Sequence, residues 1–92
     1  MKIVINGRFG GFGLSQAGHD ELARRLGLPA AFYAEDIPRT DPDLVQMVED
    51  NPGLYGGSSS GLYVVEVPDD VDWFIHEYDG REHVAEKHRT WQ

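Results

Sequence analysis

The chain contains no cysteine. It therefore offers no disulfide framework, no thiolate zinc site and no cysteine nucleophile, and its composition suits a reducing compartment. It also lacks long apolar runs. The longest are a few residues, far below the roughly 20 that a membrane-spanning helix needs. The opening Met1-Lys2-Ile3-Val4-Ile5-Asn6 is too short for the apolar segment of a secretory leader and reads instead as a strand. These absences predict a cytoplasmic protein with no membrane partner. Basic residues are scarce: eight Lys and Arg face sixteen Asp and Glu, a formal net charge of −8. What is present is enough to fold. Within 92 residues, 40% are hydrophobic and 11% aromatic, which predicts one domain with a modest core rather than a disordered acidic chain.

The charge is unevenly placed. Residues 1–19 carry Lys2 and Arg8 and no acid, whereas residues 20–80 set fourteen acids against Arg24, Arg25 and Arg39. Beyond them, Arg81, Lys87 and Arg89 slightly outweigh Glu82 and Glu86. An acidic body with two basic ends repels duplex nucleic acid over most of its surface but leaves room for a small anion near the ends.

Local patterns outline the elements. Ile3, Val4 and Ile5 predict a buried strand that stops at Asn6-Gly7. Four glycines in residues 7–13 cannot continue it, because glycine forfeits backbone entropy inside a strand. Ser15 is suited to cap a helix running to about Leu26, with Gly18, Leu22 and Leu26 on one face and Gly27-Leu28-Pro29 ending it. Ala31-Phe32-Tyr33-Ala34 is compatible with a short strand. Asp41-Pro42 then opens a second helix carrying Leu44, Val45 and Val48, stopped by Asn51-Pro52-Gly53. Residues 56–61 read as a flexible loop that buries little, and Leu62 to Val67 as a central strand. Pro68-Asp69-Asp70 turns the chain. Asp79-Gly80 is a strong hairpin signal; pairing Tyr78 with Arg81 places Ile75 opposite Val84 and His76 opposite His83. The expected fold is α+β, a small, mainly antiparallel sheet of three to five strands with two helices packed on one face. A sheet edge left open in such a fold is compatible with a homodimer.

The glycine loop carries the strongest chemical suggestion. A strand, a glycine-rich loop and a capped helix aim backbone N–H groups at an anion. Arg8 adds a planar cation, and Phe9 and Phe12 add faces for stacking on a base. A nucleotide-like ligand would use Arg8, Phe9, Gly10, Gly11 and Phe12, joined by the basic and aromatic tail residues Lys87, His88, Arg89 and Trp91. Known phosphate motifs do not match: no Gly-Lys-Ser/Thr follows, and Gln16 breaks the dinucleotide fingerprint. The bland alternative is a tight crossover with both phenylalanines in the core. A second surface is the acidic one, where Asp36, Asp41, Asp43, Glu49 and Asp50 would imitate nucleic-acid phosphates before a basic partner; plain solubility explains the same acids. His76, His83 and His88 would serve a metal-dependent hydrolase only if the hairpin register held, and a solvated strand face is the simpler reading. No serine sits in a recognisable nucleophile signature. No catalytic residue, cofactor or metal is assigned, and the expectation is a binding protein rather than an enzyme.

The runs Val-Pro-Asp-Asp-Val-Asp-Trp (67–73) and Tyr-Asp-Gly-Arg-Glu-His-Val-Ala-Glu-Lys-His-Arg-Thr-Trp (78–91) resemble a family of short proteins from tailed-phage and prophage genomes. So do Lys-Ile-Val-Ile-Asn (2–6), Gly-Gly-Phe-Gly-Leu-Ser (10–15) and Arg-Thr-Asp-Pro-Asp-Leu-Val (39–45). Arg8-Phe9 departs from the family pattern, which often has Cys or a small residue at position 8. The resemblance implies a phage setting and no particular reaction. In that setting the expected role is counter-defence in the cytoplasm of the infected host. The protein would sequester a nucleotide-like small molecule or, alternatively, block a host nucleic-acid-binding or immune effector protein through its acidic face.

Overall fold

Ile3, Val4, Ile5 and Asn6 are fully buried, and the strand they form is the spine of the molecule. The computed structural model describes residues 1–9, 11–29, 32–51, 53–56 and 60–86. Strand β1 (Lys2–Asn6) pairs antiparallel with β2 (Leu62–Glu66), Val4 opposite Val64. Between them in sequence lie helix α1 (Gln16–Leu26), a single 3-10 turn (Ala34–Asp36) and helix α2 (Pro42–Asp50). Strands β3 (Trp73–Tyr78) and β4 (Arg81–Glu86) follow as a hairpin. No described helix is long and apolar enough to cross a membrane.

Each helix begins and ends for identifiable reasons. The Ser15 hydroxyl accepts a hydrogen bond from Gly18 N at 3.1 Å and donates to Leu54 O at 2.8 Å, so the cap also anchors a later loop. Gly27 closes α1 in the left-handed region, with φ at 67°. In α2 the Asp41 carboxylate accepts from both Asp43 N and Leu44 N, and Pro42 occupies the first turn, where its missing N–H costs nothing. Leu44, Val45, Met47 and Val48 bury the inner face of α2 against Val4 and Leu62 of the strands and Leu22 of α1. Fully burying one such aliphatic side chain is worth roughly 1.5–3 kcal/mol, and this cluster is the core. Both helices share it, as expected of an α+β fold.

Four expectations are corrected. The sheet is not one unit of three to five strands; among the described residues it divides into two antiparallel ladders of two strands each. Consequently β2 is not central, since its only ladder partner there is β1. The more enclosed strand is β1, because β4 lies alongside it and α2 crosses both β1 and β2. The described residues of the 56–61 segment do more than link. Ser60 is buried and donates its hydroxyl to Gly11 O at 2.6 Å, and Gly56 bridges to Leu14. A small side chain is what allows burial there, and the hydrogen bond offsets its polarity. Finally, Phe32 and Tyr33 are irregular and Ala34 opens the 3-10 turn, so no strand forms from 32 to 34; Ala31 lies outside the described residues.

Candidate functional site

The site is built where the glycine loop meets the hairpin turn, and Asn6 joins the two. Its amide Nδ2 donates to Arg8 O (2.6 Å) and Gly80 O (2.7 Å), while Oδ1 accepts from Arg8 N (3.2 Å) and Gly61 N (2.8 Å). One fully buried side chain thus satisfies three loops and leaves none of its own valences empty. The Asp79-Gly80 turn has both residues at positive φ (51° and 86°), as a type I′ hairpin requires. Gly80 is also needed sterically: a Cβ there would overlap Phe9 O and Gly11 N and would lie 2.8 Å from Phe9 C.

Beside this junction lies a paired charge. Arg39 donates to both carboxylate oxygens of Glu82, at 2.7 and 2.9 Å, and Glu82 Oε1 also accepts from Asn6 N at 2.9 Å. Arg39 O accepts from Val4 N at 2.8 Å, and its guanidinium lies 3.6 Å from the centroid of the Phe12 ring. The free edge of β1 is therefore completed by one arginine and one glutamate in place of a third strand. Burial pushes the Glu82 carboxyl up. The hydrogen bonds from Arg39 and Asn6 N, with the charge of Arg39, outweigh it and hold the group below its ordinary range.

The outcome is an open cleft of about 460 Å³ lined by Phe9, Tyr63, Tyr78, Arg81, Glu82 and His83. Phe9 (63% exposed), Tyr63 (42%) and Tyr78 (68%) come from the glycine loop, β2 and β3, and aromatic exposure of this extent in one place is not explained by packing. Arg81 lies toward Phe9, its guanidinium carbon 6.0 Å from the ring centroid, and forms no ion pair among the described residues. Glu82 differs from its neighbours, because its carboxylate is turned to Arg39. Among the described residues the cleft thus offers aromatic faces, a guanidinium and an imidazole, with no carboxylate left over. That is chemistry for holding a planar anion.

Of the anticipated ligand residues, Phe9 lies in the cleft. Gly11 stands beside it, against the hairpin turn. Arg8 runs along Gly61 instead of lining the cleft, with its side chain 3.0–3.2 Å from where a Gly61 Cβ would sit. Phe12 serves as the platform for Arg39, so the core reading holds for one phenylalanine and the exposed reading for the other. Gly10, Lys87, His88, Arg89 and Trp91 lie outside the described residues. The acidic row is partly engaged internally: Asp41 caps α2, Glu49 pairs with Lys2 at 2.9 Å, and Asp50 accepts from Gln46 at 2.8 Å. Asp43 is half-buried and Asp36 exposed. His76 does face His83, their ring centroids 4.8 Å apart, as the hairpin register required. Among the described residues, no three His, Asp or Glu side chains gather in a way that would hold a metal ion.

Tyr63, Tyr78, Arg81 and His83 are not among the ligand residues the sequence suggests; His83 figures there only as a possible metal ligand. For the last three a signal existed. The register that placed Tyr78 opposite Arg81 and His76 opposite His83 also puts all four on one face of the hairpin. Comparison with protein-family models, curated proteins and solved structures finds no match to this chain.

Proposed function

We propose that this is a non-catalytic binding protein that captures a nucleotide-like anion in the cleft formed by Phe9, Tyr63, Tyr78, Arg81 and His83. The observation that carries the reading is the convergence of three exposed aromatic side chains on one guanidinium outside any ion pair among the described residues. A base stacks on aromatic faces with a worth of about 1–3 kcal/mol, and a guanidinium grips phosphate through paired N–H donors. Both contacts hold a ligand without transforming it. The resemblance of the chain to short phage and prophage proteins supports a counter-defence role, in which a host nucleotide is withdrawn from use. Isothermal calorimetry against a panel of linear and cyclic nucleotides tests this. Saturable binding that weakens at least about tenfold in Arg81→Gln and in Phe9→Ala is expected, with every nucleotide recovered intact by chromatography. Absence of binding across the panel, or chemical conversion of a bound nucleotide, contradicts it.

A further inference from the structure

The composition of the same cleft narrows its ligand. Building on the nucleotide reading, we infer that the cleft takes a nucleoside monophosphate, linear or cyclic, without a divalent cation.

Three observations lead there. The first is the count of cationic side chains. Arg81 and His83 are the basic groups among the described lining residues. A phosphate monoester carries about −1.5 to −2 charges near neutral pH, so one guanidinium and one imidazole donor suffice for one phosphate. Each further phosphate adds charge that no other described lining group meets, in a protein whose net charge is already −8.

The second is the fate of the carboxylate. Nucleoside triphosphates enter protein sites with a magnesium ion, held by one or two carboxylates as well as by the phosphates. Glu82 is the carboxylate among the described lining residues, and it is spent: one oxygen receives Arg39 and Asn6 N, the other receives Arg39. Glu77, the next carboxylate along β3, is not among the described lining residues, and one of its oxygens accepts from Gly80 N. A metal-bound polyphosphate would find no free carboxylate among the described lining residues.

The third is size. A cleft of about 460 Å³ lies in the lower part of the roughly 300–1,000 Å³ range of small-molecule sites, which suits one base, one sugar and one phosphate better than a dinucleotide.

Calorimetry on the full chain separates the possibilities. The panel comprises a purine nucleoside, its 5′-monophosphate, its cyclic monophosphate, its triphosphate with and without magnesium, and ribose 5-phosphate. One of the monophosphates should bind at least about tenfold tighter than the nucleoside, the triphosphate and ribose 5-phosphate. Magnesium should not tighten the triphosphate. Arg81→Gln should bring that monophosphate down to the level of the nucleoside with an unchanged melting curve, since Arg81 is exposed and makes no ion pair among the described residues. A triphosphate that binds equally well, or that tightens with magnesium, overturns the inference while leaving the nucleotide reading intact. Nucleoside binding as tight as that of either monophosphate also overturns it. If no member of the panel binds, the nucleotide reading itself fails and the inference falls with it.

Discussion

Replacing Glu82 by Gln removes one charge and little else, and the fold should register it strongly. Glu82 is 7% exposed and receives three hydrogen bonds, two from Arg39 and one from Asn6 N. The glutamine carbonyl keeps one acceptor, but Arg39 is left as an unpaired guanidinium over Phe12. Removing one partner of a buried ion pair costs about 3–5 kcal/mol in general. The Arg39 side chain retains 20% exposure, so water recovers part of that, and about 2–3 kcal/mol is the expected loss. In a domain of this size that corresponds to a fall in Tm of about 10–20 °C. Urea denaturation followed by far-UV circular dichroism measures it. The double variant Arg39→Met/Glu82→Leu should be more stable than the sum of the single losses, because an apolar pair leaves no buried charge behind. Acid adds a second readout. The folded-state pKa of Glu82 is depressed, so between the two pKa values the unfolded chain binds the extra proton. Stability contributed by the pair is complete above the unfolded-state pKa and is lost as the pH falls through the lower, folded value. The Gln variant should show a shallower loss over that window. Single variants within about 0.5 kcal/mol of the parent, or strictly additive double-variant behaviour, would refute the assignment of Arg39 and Glu82 as the closing edge of β1.

Two glycine substitutions probe other joints. Gly18→Ala should stabilise an isolated helix by about 1 kcal/mol, yet the new Cβ would lie 2.7 Å from Tyr55 O, so a net loss of about 1–2 kcal/mol is expected by thermal denaturation, and a more stable variant would contradict the packing. Gly80→Ala meets both a φ of 86° and overlap with Phe9 O and Gly11 N; it should cost about 2 kcal/mol or more and move Phe9, while an unchanged Tm would show that the glycine loop does not rest on the hairpin turn.

Much of the fold was readable because its signals are local. Ser15 and Gly27 bound α1, Asp41-Pro42 opens α2, and Asp79-Gly80 sets a hairpin register that holds at every pair from Trp73↔Glu86 to Tyr78↔Arg81. What was hidden is long-range. Nothing near Arg39 or Glu82 in sequence announces that they meet, 43 positions apart, or that together they stand in for a strand. Their pairing also explains why the sheet was overestimated, since apolar strand patterns report burial but not which edge is closed by side chains. The site divides in the same way. Phe9 was identified from loop chemistry alone, but the choice between Phe9 and Phe12 needed the position of Arg39. Tyr63 is hard to single out because the Leu62 to Val67 run reads as a central strand, whereas among the described residues β2 belongs to a two-stranded ladder and presents Tyr63 to the cleft.

In the proposed complex the ligand contacts Phe9, Tyr63, Tyr78, Arg81 and His83. Amide chemical-shift mapping by ¹H–¹⁵N NMR during titration with a purine monophosphate reads this out residue by residue. The shifting resonances should gather at these five residues and the adjoining Asp79-Gly80 turn. Shifts centred instead on the cleft between α1 and Leu54-Tyr55, or on the groove between Pro68 and Trp73, would contradict it, as would a spectrum that does not change.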